Sequence, residues 1–254
     1  MSRYSNSNSN SNSNSNMSKK PNSVVFIELF TEIEQAIKDI CKLDDYLTFT
    51  EMLRIAQRQN SVLQQYAGDL REYAQLRNSI VHTRRQNFII AEPHDDVVRE
   101  LRHILRLLNN PPRVASVMRR KPYFATPETP ILTVIEAFSQ QGFLRCPVVD
   151  RGRIVGLMNS KSISRWLAAH NQSHIDLGES KVSELVPFSE PDDYHIMAQR
   201  DDLLTLVGMF KNSIQQGRYI QAVLVTTNGK PDSELLGIIT PSDLPMIFDR
   251  LDKI

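Results

Sequence analysis

The sequence has no surplus of charge, no long apolar run and almost no cysteine. Its 30 basic side chains meet 29 acidic ones, for a formal net charge of +1, so no strong overall field draws the chain to nucleic acid or to an anionic membrane. No apolar run approaches the ~20 residues that a bilayer-crossing helix needs. The stretch Val24–Phe30 is too short and has acidic neighbours, which argues against a signal peptide. The two cysteines, Cys41 and Cys146, fall in different predicted domains and form no metal-ligand spacing; a reducing cytoplasm is the expected setting. His94, His103, His170, His174 and His195 lie at no paired metal spacing either, so no metal is expected. A Gly-rich phosphate loop of Walker type and a Gly-x-Ser-x-Gly elbow are both missing.

What is present begins with a low-complexity leader. Residues 1–16 read MSRYSNSNSNSNSNSN, alternating Ser and Asn from Ser5 on, and are followed by Met17. Such a pattern has no apolar face and cannot form a core, so it reads as a disordered expression leader. Helical spacing then takes over. Val25, Leu29, Ile33, Ala36, Ile37 and Ile40 mark one helix. Thr48 or Thr50 is placed to cap a second, with Glu51 in its first turn and Met52, Leu53, Ile55, Ala56 and Val62 as its stripe. Leu70, Tyr73, Ala74, Leu76, Ile80 and Val81 mark a third. After the short apolar piece Phe88–Ala91 and Pro93, a helix starting at Asp95 or Asp96 runs through Leu108 and stops at Asn109-Asn110-Pro111-Pro112, because proline lacks the donor and disfavours helix before it. An all-α domain of residues 17–110 is predicted, with a boundary at the proline pair.

Beyond Pro112 the pattern changes to β-α-β-β-α, twice. The first copy reads Tyr123–Ala125, a helix over Thr133–Gln141 ended by Gly142, strand Cys146–Val149, a turn, strand Ile154–Met158 and a helix from Ser160. The second reads Ile196–Ala198, a helix over Leu203–Gln216, strand Ala222–Thr226, a turn through Asn228-Gly229, strand Leu235–Ile239 and a helix from Ser242. An internal duplication of this size implies that neither copy alone buries both faces of its sheet.

These residues resemble a tandem pair of CBS motifs. Val117-Met118, Thr126-Pro127-Glu128-Thr129-Pro130, Cys146-Pro147-Val148-Val149-Asp150 and Arg153-Ile154-Val155-Gly156-Leu157 are similar to the first motif, about 112–172. Val182–Leu185, Ala222–Val225 and Leu236-Gly237-Ile238-Ile239-Thr240-Pro241-Ser242-Asp243 are similar to the second, about 178–250. Nucleotide-competent members end in Gly-apolar-x-Thr-x-x-Asp at the start of the last helix. The resemblance therefore implies a site at Gly237, Ile238, Thr240 and Asp243, with Asp243 on ribose, Thr240 on phosphate, and Ile196 and Ala222 flanking adenine. A helix N-terminus favours phosphate on physical grounds too. The same Thr and Asp would also serve simply as an N-cap and a first-turn acid. In the first copy Asn159 and Ser162 stand where Thr and Asp would be, and Arg145 stands where a phosphate-contacting arginine is often found. One strong site and one altered site are expected.

The sharpest chemical motif lies in the N-terminal part: Arg77-Asn78-Ser79-Ile80-Val81-His82. It resembles the Arg-x(4–6)-His signature of HEPN domains. Asn78 and His82, four residues apart, share a helical face. The resemblance implies a metal-independent endoribonuclease site at a two-fold interface. There His82 would act as general acid–base, Arg77 would neutralise the transition-state charge and Asn78 would orient either partner. Arg84, Arg85 and Arg71 are candidate guides for an RNA backbone. A hydrogen-bonded dimer seam would account for the same residues.

The predicted fold class is thus α+β: a HEPN-like helical bundle over 17–110 followed by a tandem CBS domain over 111–254. The leading functional expectation is a cytoplasmic homodimer in which AMP, ADP or ATP, bound as a regulatory ligand, gates RNA cleavage that requires no cofactor. The alternatives are a non-catalytic nucleotide sensor whose helical domain binds a partner, and a scaffold. Paired acids such as Asp44-Asp45, Asp95-Asp96, Asp192-Asp193 and Asp201-Asp202 read as caps, and Trp166 as packing.

Overall fold

The structure, a computed structural model, describes residues 20–43, 46–82, 91–171 and 174–253, with His82 described through its backbone alone. The leader, Asp44-Asp45, Arg84, Arg85 and 88–90 of the short apolar piece lie outside the described residues. The N-terminal part is helical: α1 (Asn22–Cys41), α2 (Phe49–Ala56), α3 (Ser61–Gln65), α4 (Ala67–His82) and α5 (Asp95–Asn109). α1 turns Phe26, Leu29, Phe30, Ile33 and Ile37 inward at helical spacing and packs along α5, which contributes Val98, Leu101, Ile104, Leu107 and Leu108. Thr48 and Glu51 close a reciprocal capping box at the start of α2. The single second helix read from the sequence is two helices in fact. The chain turns at Gln57–Asn60, and the Asn60 side chain accepts from the Leu63 amide at 3.1 Å to start α3. α5 starts at Asp95, one of the two starts expected, and its cap is His94, whose Nδ1 accepts from Asp96 N at 3.4 Å.

The C-terminal part contains β1 (Arg119–Arg120), α6 (Ile131–Gln141), β2 (Arg145–Asp150), β3 (Arg153–Asn159), α7 (Ser160–Ala169), α8 (Val182–Leu185), β4 (Tyr194–Ala198), α9 (Leu203–Gln215), β5 (Ala222–Thr226), β6 (Leu235–Ile239) and α10 (Leu244–Asp252). Mixed helix and strand content is thus established. β2 and β3 form a hairpin, and the predicted strand Tyr123–Ala125 reduces to one parallel bridge, Ala125 to Val148. The other sheet has the order β1-β6-β5-β4, with β4 parallel to β5 and the other pairs antiparallel. β1 comes from the lead-in at the start of the first repeat but pairs with the second repeat. The reciprocal segment, Val186–Ser189, lies against β3: Ser189 Oγ donates to Leu157 O at 3.1 Å and accepts from Leu157 N at 3.2 Å. Each repeat is completed by the lead-in of the other.

Packing does not follow the proline boundary. One continuous apolar core joins Phe26, Ile33, Leu63 and Leu101 of the bundle to Leu203, Leu206, Val223, Ile239 and Leu251 of the second repeat. The first repeat has its own core around Trp166, Val148 and Phe138. A third cluster, Ile154 and Leu157 against Ala222, Leu224 and Ile238, joins the two repeats. The proline pair is tied down as well. Pro112 O accepts from Leu203 N at 2.9 Å, and Val114 N donates to Asp201 O at 2.9 Å. Ser61 of α3 donates to the carboxylate of Asp202, which also caps α9 through Leu204 N at 2.8 Å. Among the described residues no helix is long and apolar enough to cross a membrane.

Candidate functional site

The last turn of the second repeat is built around a buried carboxylate. β6 delivers Thr240 to the mouth of a short 3-10 turn, Pro241–Asp243, that leads into α10. Asp243 is 5% exposed. Its Oδ2 accepts from Thr240 N at 2.8 Å and from Thr240 Oγ1 at 2.9 Å. Its Oδ1 accepts from Arg119 Nε at 3.0 Å and lies 2.9 Å from Arg119 Nη2 in the same ion pair. A carboxylate removed from water requires such charge-assisted donors. The Thr240 hydroxyl proton is therefore directed at Asp243, and a phosphate would have to draw it away.

Gly237 does allow a close approach, but what approaches is β1. A Cβ at this position would lie 2.8 Å from Met118 Sδ and 2.9 Å from the Arg119 carbonyl oxygen. Ile238, Ala222 and Ile196 belong to the cluster between the repeats, and Ala222 is fully buried there. Tyr194 pairs with Ala222 across the strands, and burial raises its phenol above the ordinary tyrosine range.

In the first repeat the β2–β3 register sets Arg145 opposite Asn159. Asn159 and Ser162 form a closed box: Asn159 Oδ1 accepts from Ser162 N at 2.8 Å, and Ser162 Oγ accepts from Asn159 N at 2.9 Å. Both residues are buried. The carboxylate missing from this motif comes from elsewhere. Asp193, 2% exposed, accepts from Asn159 Nδ2 at 3.2 Å and lies 3.5 Å from Lys161 Nζ. A hydrogen bond to Glu190 raises Lys161 above the usual lysine range, and Asp193 adds to the shift. Arg145 Nε donates to Gln221 Oε1 at 3.3 Å, and Gln221 N donates to Asp193 O at 2.7 Å. Sequence reading treated Asp193 as a cap and passed over Gln221 and Arg119. Asp193 and Arg119 offered only a charge at or beside a strand start, and Gln221 offered no signal.

On α4, Arg77 is half-buried and Asn78 exposed. Arg77 Nη1 donates to Asn78 Oδ1 at 3.4 Å, while Arg77 Nε is buried with no hydrogen-bond partner among the described residues. His82 is the last residue of the helix. One turn before Arg77, Tyr73 donates to Glu100 of α5; burial and this bond raise its phenol well above the ordinary range. Arg71 donates to Gln57 Oε1 at 3.1 Å. Trp166 is 1% exposed in the core of the first repeat. Cys146 is buried, which pushes its thiol up to about 12. Among the described residues no group of three or more His, Cys, Asp or Glu is placed to hold a metal ion.

Residues 114–169, which span the first repeat, match the CBS domain family. Comparison with curated proteins finds no match. Among solved structures, the chain is similar to protein MJ1225 from Methanocaldococcus jannaschii, with 22% identity, 64% of this chain and 56% of that one covered, and a TM-score of 0.43. It is similar to CbpB in complex with c-di-AMP, with 11% identity, coverage of 61% and 95%, and a TM-score of 0.46. A third is the CBS domain pair of protein MJ0100 in complex with 5′-methylthioadenosine and S-adenosyl-L-methionine, with 16% identity, coverage of 55% and 98%, and a TM-score of 0.39.

Proposed function

We propose that the C-terminal half is an adenine-nucleotide sensor whose principal site is the Thr240–Asp243 turn, and that the helical bundle is its output. The observation that carries this reading is the carboxylate of Asp243, held 5% exposed at the mouth of the last helix with a hydroxyl and an arginine on it. In a CBS-type fold that is the place where a ribose would be recognised, and the N-terminal end of α10 favours phosphate. The core shared by bundle and second repeat gives occupancy a direct route to the helices. The ligand must bind two arrangements of that core with different affinity to act as a regulator. Calorimetry of the full chain with AMP, ADP and ATP tests the reading. The Asp243→Asn protein will bind at least about tenfold more weakly, the loss of hydrogen bonds to a charged acceptor. Equal affinity of the two proteins rejects the site.

A second reading concerns the output, and Arg77 favours it. A buried guanidinium nitrogen without a hydrogen-bond partner among the described residues, beside the exposed Asn78, is a donor suited to an anion. In this reading two copies meet along α4 as a homodimer, and RNA lies in the seam. His82 takes the proton of a ribose 2′-hydroxyl, the 2′-oxygen attacks phosphorus, and the 5′-oxygen leaves with a proton. The products are a 2′,3′-cyclic phosphate and a 5′-hydroxyl. Arg77 neutralises the charge that gathers on phosphorus. Labelled RNA incubated in EDTA with wild type, Arg77→Ala and His82→Ala decides the matter. A loss of about a hundredfold in both variants supports cleavage at this site, and the same background in all three removes the nuclease while leaving the sensor.

A further inference from the structure

Three hydrogen bonds and one further ion-pair contact engage both oxygens of Asp243. A carboxylate offers about four lone-pair sites. Thr240 holds two through Oδ2, and Arg119 covers Oδ1 with one hydrogen bond from Nε and with Nη2 2.9 Å away. A ribose cis-diol needs two acceptor sites and finds neither oxygen clear of Thr240 or Arg119. We propose that Arg119 is a built-in competitor of the ligand, seated on the acceptor oxygen that a ribose would take. The nucleotide then binds by expelling it. This inference rests on the nucleotide reading above.

Three observations single out Arg119 as the group that yields. Its side chain is 66% exposed while that of Asp243 is 5% exposed, so the guanidinium can swing into water and the carboxylate cannot follow. The Thr240 bonds, by contrast, are local to one turn and keep α10 capped. Finally, β1 is only two residues long, held by pairing with Ile238 and Gly237.

Arg119 is also placed to report its own displacement. Met118, next in the chain, packs on Gly237 and belongs to the core shared with the bundle. α5 ends at Asn109, and the intervening Pro112–Val114 is bonded to the start of α9. Freeing Arg119 removes a side-chain anchor from a strand that is joined to α5 through residues 110–118. The coupling this predicts is mutual, because a bundle that holds β1 in place also holds the competitor in place.

Calorimetry of the full chain with AMP and with 2′,3′-dideoxy-AMP tests the competitor. Arg119→Ala will bind AMP about tenfold more tightly than wild type, the gain from removing a charge-assisted rival. It will bind the dideoxy compound with unchanged affinity, because that ligand has no hydroxyls to use the vacated oxygen. Arg119→Lys, with the charge kept and fewer donors, will show a smaller gain in the same direction; it decides the question should the alanine protein fail to fold. AMP affinity equal to or weaker than wild type in both variants overturns the competitor while wild-type binding preserves the nucleotide reading. No AMP binding by wild type or either variant overturns both.

Discussion

Gly237→Ala will unfold at a clearly lower urea concentration than wild type, by about 2 kcal/mol in stability, the scale of overpacking a tight contact. The added methyl would stand 2.8 Å from Met118 Sδ and 2.9 Å from the Arg119 carbonyl oxygen. A thioether can rotate away, but a backbone oxygen moves only with its strand. β1 would therefore be pushed off β6, carrying Arg119 away from Asp243. The equivalent glycine of the first repeat gives an internal control. At Gly156 the nearest atom to a new Cβ is Val186 Cγ1 at 3.5 Å, an ordinary contact, so Gly156→Ala will cost under about 1 kcal/mol. Equal urea midpoints for the two variants would remove the close approach of β1 from the account.

Leu63→Ala will loosen the second repeat although the residue lies in the helical bundle. Leu63 is fully buried in α3, which packs on α9, and it belongs to the core that includes Val223 and Val225 of β5. Truncating a buried leucine costs about 2–5 kcal/mol once the cavity is counted. Native-state hydrogen exchange reads the distribution of that loss. The β5 amides will exchange faster together with those of α1 and α5. The β2 amides, backed by a separate core around Trp166, will change less. Acceleration confined to α1–α5 would mean that the bundle unfolds on its own, with no mechanical link to the repeat.

Legibility followed sequence distance. Strands Ala222–Thr226 and Leu235–Ile239 have the limits expected from two apolar runs flanking an Asn-Gly turn, because a largely buried strand pair leaves a local signature. The break between α2 and α3 was missed since the apolar stripe runs on to Val62, while the decisive event is one asparagine side chain capping Leu63 N. β1 could not be read at all. Arg119-Arg120 has no apolar residue, and it is a strand only because β6 presents an unpaired edge and a glycine. The same holds for the site. Thr240 and Asp243 were found as a local motif, but the guanidinium that completes them lies 124 residues away. Likewise Asp193 takes its place beside Asn159 only once the repeats close on each other. The domain division fared differently: Asn109 does end the bundle's last helix, yet the apolar stripes on either side of the prolines carry no label saying that they share one core.

A structure of the full chain crystallised with AMP tests the central claim most directly. The account predicts both ribose hydroxyls on the Asp243 carboxylate, the Thr240 amide still capping the turn, and the Arg119 side chain displaced from Oδ1. Ribose bound elsewhere, with Arg119 and Thr240 still holding Asp243 as they do now, would contradict it.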